Sequence, residues 1–138
     1  KYMPNFCENN LRVRGDQKEI REFSEKTKTK KLSFTFEKLV PTPASFLKDG
    51  SDKWYNWRIK NWGTKWDVDT DSVSRDEDED FIEVSFDTAW APPLEWLVKV
   101  SKKFKKLLFR IHYREDGAGF EGVAKVTKGK LEDKYINF

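Results

Sequence analysis

The segment LLFRIHYRE, residues 107–115, alternates apolar and charged residues along most of its length. That period of two narrows the possible folds more than any other feature of the chain. Successive side chains of a strand point to opposite faces. Phe109, Ile111 and Tyr113 therefore face a core, and Arg110, His112 and Arg114 face away from it. FIEVSFDTA repeats the pattern, with Ile82, Val84 and Phe86 inward and Glu83, Ser85 and Asp87 outward. Near the start of the chain, Leu11 and Val13 alternate with Arg12 and Arg14. Three such segments require a sheet covered on one face only.

Two helices supply the cover. Asp16 and Glu19 have the spacing of a capping box, and Ile20, Phe23 and Thr27 share one face of a helix over about 17–29. Pro92 and Pro93 suit the first turn of a second helix, where a missing N–H costs little. Leu94, Leu97, Val98, Ser101 and Phe104 line one side of that helix, with lysines on the other. Further alternation predicts strands in LSFTF (32–36), in TKWDVDTDSV (64–73), in FEGVAKVTKG (120–129) and in a short final segment, DKYINF. SRDEDED reads as a charged turn between two of them. KLVPTPASFLKDG reads as a loop and short helix, because Pro41 and Pro43 prevent regular pairing. DKWYNWRIKNW has helical spacing, and Gly63 is placed to stop that helix.

The expected order is a β-α-β-β-α-β unit with an aromatic helical insertion at about 41–64, between the second and third core strands. Extra strand follows at the C-terminal end. This is an α+β, ferredoxin-like antiparallel sheet with two helices on one face, in a single domain spanning 1–138. Charged residues are 37% of the chain and aromatic residues 15%, so the core is built from large rings rather than many aliphatics.

The near balance of charge, a formal +3, is no nucleic-acid footprint unless basic residues gather on one face. A single cysteine, Cys7, excludes an internal disulfide and fits a reducing compartment. No apolar run approaches the roughly 18 residues of a membrane span, and KYMPNFCENN lacks the apolar stretch of a signal peptide. A cytoplasmic protein is expected. Met3 followed by Pro4 reads as a native start, which leaves Lys1 and Tyr2 as additions.

Five segments occur in a recognisable order: MPNFCENNLRVRG from Met3, FEKLVPTP from Phe36, NWGTKWD from Asn61, FDTAWAPP from Phe86 and GAGFEG from Gly117. Together they resemble the YubB-type family of ferredoxin-like domains of phages and conjugative plasmids. The resemblance covers nearly the whole chain and rests most on NWGTKWD and FDTAWAPP. It implies a ferredoxin-like fold and a mobile-element origin, and it implies no activity. The chain has Phe6 at a position the family associates with Trp, and it adds the acidic run 76–80. "Ferredoxin-like" describes shape alone, since one cysteine cannot hold an iron–sulfur cluster that needs four thiolates.

Two residue groups are candidate sites. WYNWRIKNWGTKWD, residues 54–67, holds four of the six tryptophans. Trp62, Trp66 and Trp90 either frame a ligand pocket, with Asn61, Thr64 and Lys65 supplying polar contacts, or form the bulk of the core. The second group, Arg12, Arg14, Arg110, His112 and Arg114, shares the outer sheet face, the position used by strand-binding RNA-recognition folds. No aromatic side chain accompanies these residues, and Glu83 and Asp87 offset part of their charge. Cross-strand ion pairing is the competing account.

Asp67, Asp69, Asp71 and Asp78 mimic calcium-loop spacing. The loop lacks Gly at its sixth position and is flanked by strands, so a solvated strand face explains it better. His112 has no nucleophile or carboxylate at a catalytic spacing, and Cys7 reads as a small buried hydrophobe. One His and one Cys do not make a zinc site, and no cofactor is expected. The resulting expectation is a non-enzymatic binding protein acting on a host protein or nucleic acid, with anti-defence action as a subtype. The alternative is a nucleotide or small-molecule binder using the tryptophan block. No membrane partner is expected, and the chain is a monomer or weak homodimer.

Overall fold

The computed structural model describes residues 5–48 and 50–138, so the Met3 start lies outside the described residues. Strand β1 (Phe6–Gly15) is the axis of a sheet that also contains β2 (Ser74–Asp78), β3 (Phe81–Ala89), β4 (Leu107–Glu115), β5 (Phe120–Thr127) and β6 (Lys130–Asn137). The spatial order is β2-β3-β1-β4-β5-β6, with every neighbouring pair antiparallel. The first four strands reproduce the ferredoxin-like order, and β5 and β6 extend it past β4. Leu11 stands opposite Val84 on one side and Ile111 on the other. The inward row expected from alternation is therefore continuous across three strands.

Helices α1 (Gln17–Lys26) and α4 (Leu94–Lys103) cover that row. The Asp16 carboxylate accepts the Glu19 N–H at 3.1 Å and caps α1. Phe23 of α1 meets Phe104 at the end of α4 edge-on at 5.6 Å, and Phe109 of β4 at 5.5 Å. Both helices thus lie on one face. In α4 the buried side chains are Trp96, Leu97, Val100 and Ser101. This face is rotated from the expected one, because Trp96 reaches the core and draws Leu94 and Val98 to its edge.

Two predicted strands are corrected. LSFTF is not a strand: residues 27–43 form an irregular segment that is nonetheless buried at Phe34, Thr35 and Phe36. Three consecutive buried side chains cannot belong to a strand with one covered face. Local backbone bonds, such as Thr35 N–H to the Thr27 carbonyl at 2.9 Å, and distant side chains, rather than a neighbouring strand, satisfy its backbone. Trp96 Nε1 donates to the Phe36 carbonyl at 3.1 Å, Arg75 donates to the Ser33 carbonyl at 2.8 Å, and Lys103 Nζ donates to the Leu39 carbonyl at 2.6 Å. TKWDVDTDSV is not a strand either. It is extended loop plus a 3-10 turn, Thr70–Ser72, and β2 lies within the segment expected to be a charged turn.

The second core strand is therefore β2, and the insertion precedes it, following α1 directly. It carries the short helix α2 (Ala44–Lys48) and the helix α3 (Lys53–Asn61). Gly63 ends α3 at φ 89°, donating its N–H to the Arg58 and Ile59 carbonyls.

Asp67 organises the junction between insertion and sheet. Its carboxylate accepts the Thr35 hydroxyl at 2.5 Å, the Phe36 N–H at 2.9 Å and the Val68 N–H at 2.8 Å. Burial raises its pKa above the ordinary 3.8, outweighing those three hydrogen bonds. The folded protein thus holds this proton more tightly than the unfolded chain. The corresponding stability is fully present below the unfolded pKa and is lost as pH rises through the folded value.

Asp67→Ala strands the two N–H donors and is expected to cost about 2–4 kcal/mol in denaturant unfolding. Asp67→Asn keeps an acceptor for both. It is expected to stay within about 1 kcal/mol of the parent at neutral pH and to lose the parent's gain in stability as pH falls toward 4.

Candidate functional site

The tryptophan block divides into a buried half and an exposed half. Trp62 is fully buried, and its Nε1 donates to the Val40 carbonyl at 2.9 Å. Its ring packs on Phe36 at 5.5 Å and on Trp57 at 6.0 Å, with the Arg58 guanidinium 4.8 Å from its centre. Thr64 is buried and donates its hydroxyl to the Ala89 carbonyl at 2.7 Å. The Asn61 amide donates to the Trp57 carbonyl of its own helix at 2.8 Å. Among the candidate pocket residues, Trp62 and Thr64 present no surface to a ligand, and Asn61 uses its amide to close α3. A buried indole or hydroxyl needs a partner, and backbone carbonyls at Val40 and Ala89 supply them to Trp62 and Thr64.

Lys65, Trp66 and Trp90 come together on the outside. Trp66 is 38% exposed and Trp90 41% exposed. The Lys65 ammonium stands 4.5 Å from the centre of the Trp66 ring and 5.7 Å from that of Trp90, between two π faces. No ion pair joins Lys65 to a carboxylate among the described residues. The backbone holds this surface firmly. Lys65 lends its carbonyl to Arg58 at 3.4 Å, and the Trp90 N–H donates to the Asn5 carbonyl at 2.9 Å. Trp90 adopts φ 71°, a conformation that costs a bulky residue about 1–3 kcal/mol. It follows β3 directly and precedes Pro92 and Pro93, so β3 and the entry to α4 over-determine its position.

The second group also assembles. Arg12 lies opposite Arg110, Asn10 opposite His112, and Glu8 opposite Arg114, all on the sheet face away from the helices. Most of these cations are engaged by acids. Arg12 pairs with Glu83 at 3.2 Å. Arg114 pairs with Asp116 at 2.6 Å and Glu121 at 2.9 Å, and His112 Nε2 lies 2.8 Å from Glu121. The bond to His112, with the nearby charge of Arg114, holds the Glu121 carboxyl below its ordinary range. Arg14 and Arg110 have no ion pair among the described residues. The acidic side chains Asp76, Glu83 and Asp87 lie toward the β2 edge, and Arg110, Lys125 and Lys134 lie toward β6. Glu121 and Glu132 also lie on the β6 side, so both signs are interleaved across the face. Contrary to the expectation that no aromatic side chain accompanies these cations, Phe81 stands opposite Arg14 and the exposed Phe138 ring lies 4.6 Å from the Arg114 guanidinium, in addition to the aliphatic Val123 and Leu108.

Three functional-looking groups were hidden from sequence reasoning. Arg75, placed by sequence in a solvated turn, is a largely buried clamp. It donates to the carbonyls of Ser24 and Ser33 and pairs with Glu77. Glu115 is buried, and its carboxylate accepts the N–H groups of Gly117 and Ala118 at the GAGF turn. Tyr113 passes over Gly122 to donate to Asp133 on β6 at 2.5 Å; a Cβ at Gly122 would lie 2.3 Å from that hydroxyl. The Arg75 bonds to Ser24 and Ser33 and the Tyr113 bond to Asp133 join residues far apart in sequence, so no local spacing signals them, whereas the Glu115 bonds are local and a carboxylate two residues before Gly117 was the available signal. Cys7 is buried, and burial, with the nearby charge of Glu115, pushes its thiol up to about 12. Among the described residues no group of His, Cys, Asp and Glu is placed to hold a metal ion, and no helix is long and apolar enough to cross a membrane.

Order of strands, two helices on one face and an open opposite face define a ferredoxin-like α+β domain. Residues 61–137 match the family model described as "Ferredoxin-like domain in Api92-like protein", and the chain belongs to that family. The crystal structure of the protein api92 from Yersinia pseudotuberculosis, itself assigned to DUF1281, is similar across the fold. It superposes with a TM-score of 0.71 at 10% sequence identity, covering 99% of this chain and 98% of that one. The search of curated proteins finds no match.

The two halves of the tryptophan block are expected to separate by mutation. Trp62→Ala should cost about 3–5 kcal/mol in unfolding, whereas Trp66→Ala should cost at most about 1 kcal/mol. At pH 8 the Cys7 thiol should resist aromatic disulfide reagents in the native protein and react completely in denaturant, as expected of a buried thiol.

Proposed function

We propose that this chain is a non-enzymatic binding module of a phage or conjugative plasmid, and that it docks on a host protein in the cytoplasm. The observation that carries this reading is the exposed Trp66–Lys65–Trp90 stack on a backbone held from both sides. Large rings that stay exposed yet fixed in position are the residues that dominate protein interfaces. They lose little conformational freedom on binding. A lysine with no carboxylate of its own between them selects a partner segment that brings an acidic side chain to an apolar rim.

The other classes have weaker support. The face carrying Arg12, Arg14, Arg110, His112 and Arg114 interleaves acids with bases, whereas a phosphate backbone rewards uncompensated cations. The two rings on that face lie toward opposite ends of the strands, Phe81 beside Arg14 and Phe138 against Arg114, and so do not form one stacking platform. A nucleotide or small-molecule site in the tryptophan block would need Trp62 and Thr64, and both are enclosed. Neither the sole imidazole, bonded to Glu121 on an open surface, nor the buried thiol is set beside a reacting partner. The motif resemblance to YubB-type domains supports the mobile-element origin and, with it, a target in the host cell.

The test is affinity capture from nuclease-treated host extract with the wild-type protein and the Trp66→Ala/Trp90→Ala double variant. The expected result is a protein captured by the wild type and lost from the double variant, whose melting temperature stays within a few degrees. A partner that disappears on nuclease treatment, or that survives the double substitution, overturns the proposal. In the former case, binding that falls steeply with salt and is abolished by Arg110→Glu/Arg114→Glu would assign the function to the open sheet face instead.

A further inference from the structure

The two sheet edges differ in kind. Edge strand β2 has five residues, and Asp76, Glu77 and Asp78 fill more than half of it. Antiparallel pairing of β2 with its own copy would set acid against acid, the usual protection of a sheet edge. Edge strand β6 has eight residues, Lys130–Asn137, and every one of them is exposed. It has no proline and remains in unbroken register with β5 from Thr127↔Lys130 to Phe120↔Asn137. The Phe138 N–H, donating to the Gly119 carbonyl at 2.7 Å, ties down its end. Among the described residues no strand pairs with its outer backbone edge, and Leu131, Tyr135 and Ile136 are exposed along it.

We propose that β6 is the docking edge for a second copy of this chain, joined as antiparallel strands about a twofold axis at Asp133. The sequence KLEDKYIN is complementary to itself in that register. On the open sheet face Glu132 stands opposite the other copy's Lys134, and Lys134 opposite its Glu132. On the helix side Leu131 stands opposite Tyr135, and Tyr135 opposite Leu131. Opposite charges and aromatic–aliphatic pairs directly across antiparallel strands are stabilising. Shifting the register by one pair in either direction sets Glu132 against Glu132 or Lys134 against Lys134, so charge selects this alignment. Asp133 meets its own copy at the axis. One oxygen of that carboxylate is already bonded to the Tyr113 hydroxyl, and the repulsion keeps the association modest. An isologous pair of this kind closes on itself and yields a dimer with a continuous twelve-stranded sheet, not a filament.

Sedimentation of the full chain over a range of concentrations tests this. The wild type should shift from monomer to dimer mass as concentration rises. Lys134→Glu turns both Glu–Lys pairs into Glu–Glu pairs and should weaken the dimer by about tenfold. Glu132→Lys/Lys134→Glu exchanges the charges and should restore dimerisation to within about threefold of the wild type. All substituted positions are exposed, and melting temperatures close to the wild-type value confirm that the variants fold. A wild type that remains monomeric up to about 1 mM, a Lys134→Glu variant that dimerises as well as the parent, or a double exchange that fails to restore association each overturns the proposal.

Discussion

The structure depends on a cluster of rings that simultaneously fill the core and satisfy irregular backbone. Trp96 stands 4.9 Å from Phe36 and 5.9 Å from Phe34, and Phe34 stands 4.9 Å from Phe86 on the sheet. The two buried indoles send their N–H groups to carbonyls of the segment between α1 and α2, at Phe36 and Val40. The Phe36 carbonyl also accepts the Val40 N–H at 3.1 Å, so Trp96 adds a second donor there, while Trp62 supplies the donor at Val40. Apolar contact and polar satisfaction thus come from the same side chains. That is why a stretch with no strand or helix can lie against the sheet.

This arrangement decides what remains on the surface. Once Trp62 is drawn inward to Val40 and Phe36, the chain reverses at Gly63, and Lys65 and Trp66 emerge beside Trp90. Asp67 then turns the chain back into the core through its bonds to Thr35 and Phe36. The exposed stack is bracketed by two buried anchors only a few residues apart. Its rigidity is a consequence of the core, which is the physical basis for reading it as a docking surface rather than as leftover hydrophobic residue.

The open sheet face shows how strand alternation and register differ in what they reveal. Alternation alone places Arg12, Arg14, Arg110, His112 and Arg114 on one face, and the structure brings them together there. Register then sets Glu83 beside Arg12 and Glu121 beside both His112 and Arg114. Arg12, His112 and Arg114 thus become members of ion pairs, and exposed pairs of this kind add little stability. Their effect is to remove a uniform positive field. The same register sets the charges of β6, whose alternation of Lys, Glu, Asp and Lys has meaning only once the strand is known to be an edge.

What the sequence determined by itself was the part governed by local periodicity: strands β1, β3, β4 and β5, the two covering helices, the Asp16 cap and the stop at Gly63. Each of these follows from side-chain spacing of two or about 3.6 residues and from local capping chemistry. The identity of the second core strand, the place of the insertion, and the division of the tryptophans into buried and exposed halves were decided only by tertiary structure. LSFTF has the spacing of a strand, but the edge beside β3 is taken by Ser74–Asp78, whose Arg75 and Glu77 bond to α1 and the loop. Those contacts join residues roughly fifty positions apart. No local pattern encodes them, because the free energy that selects one strand over another arises only when distant groups share a buried space.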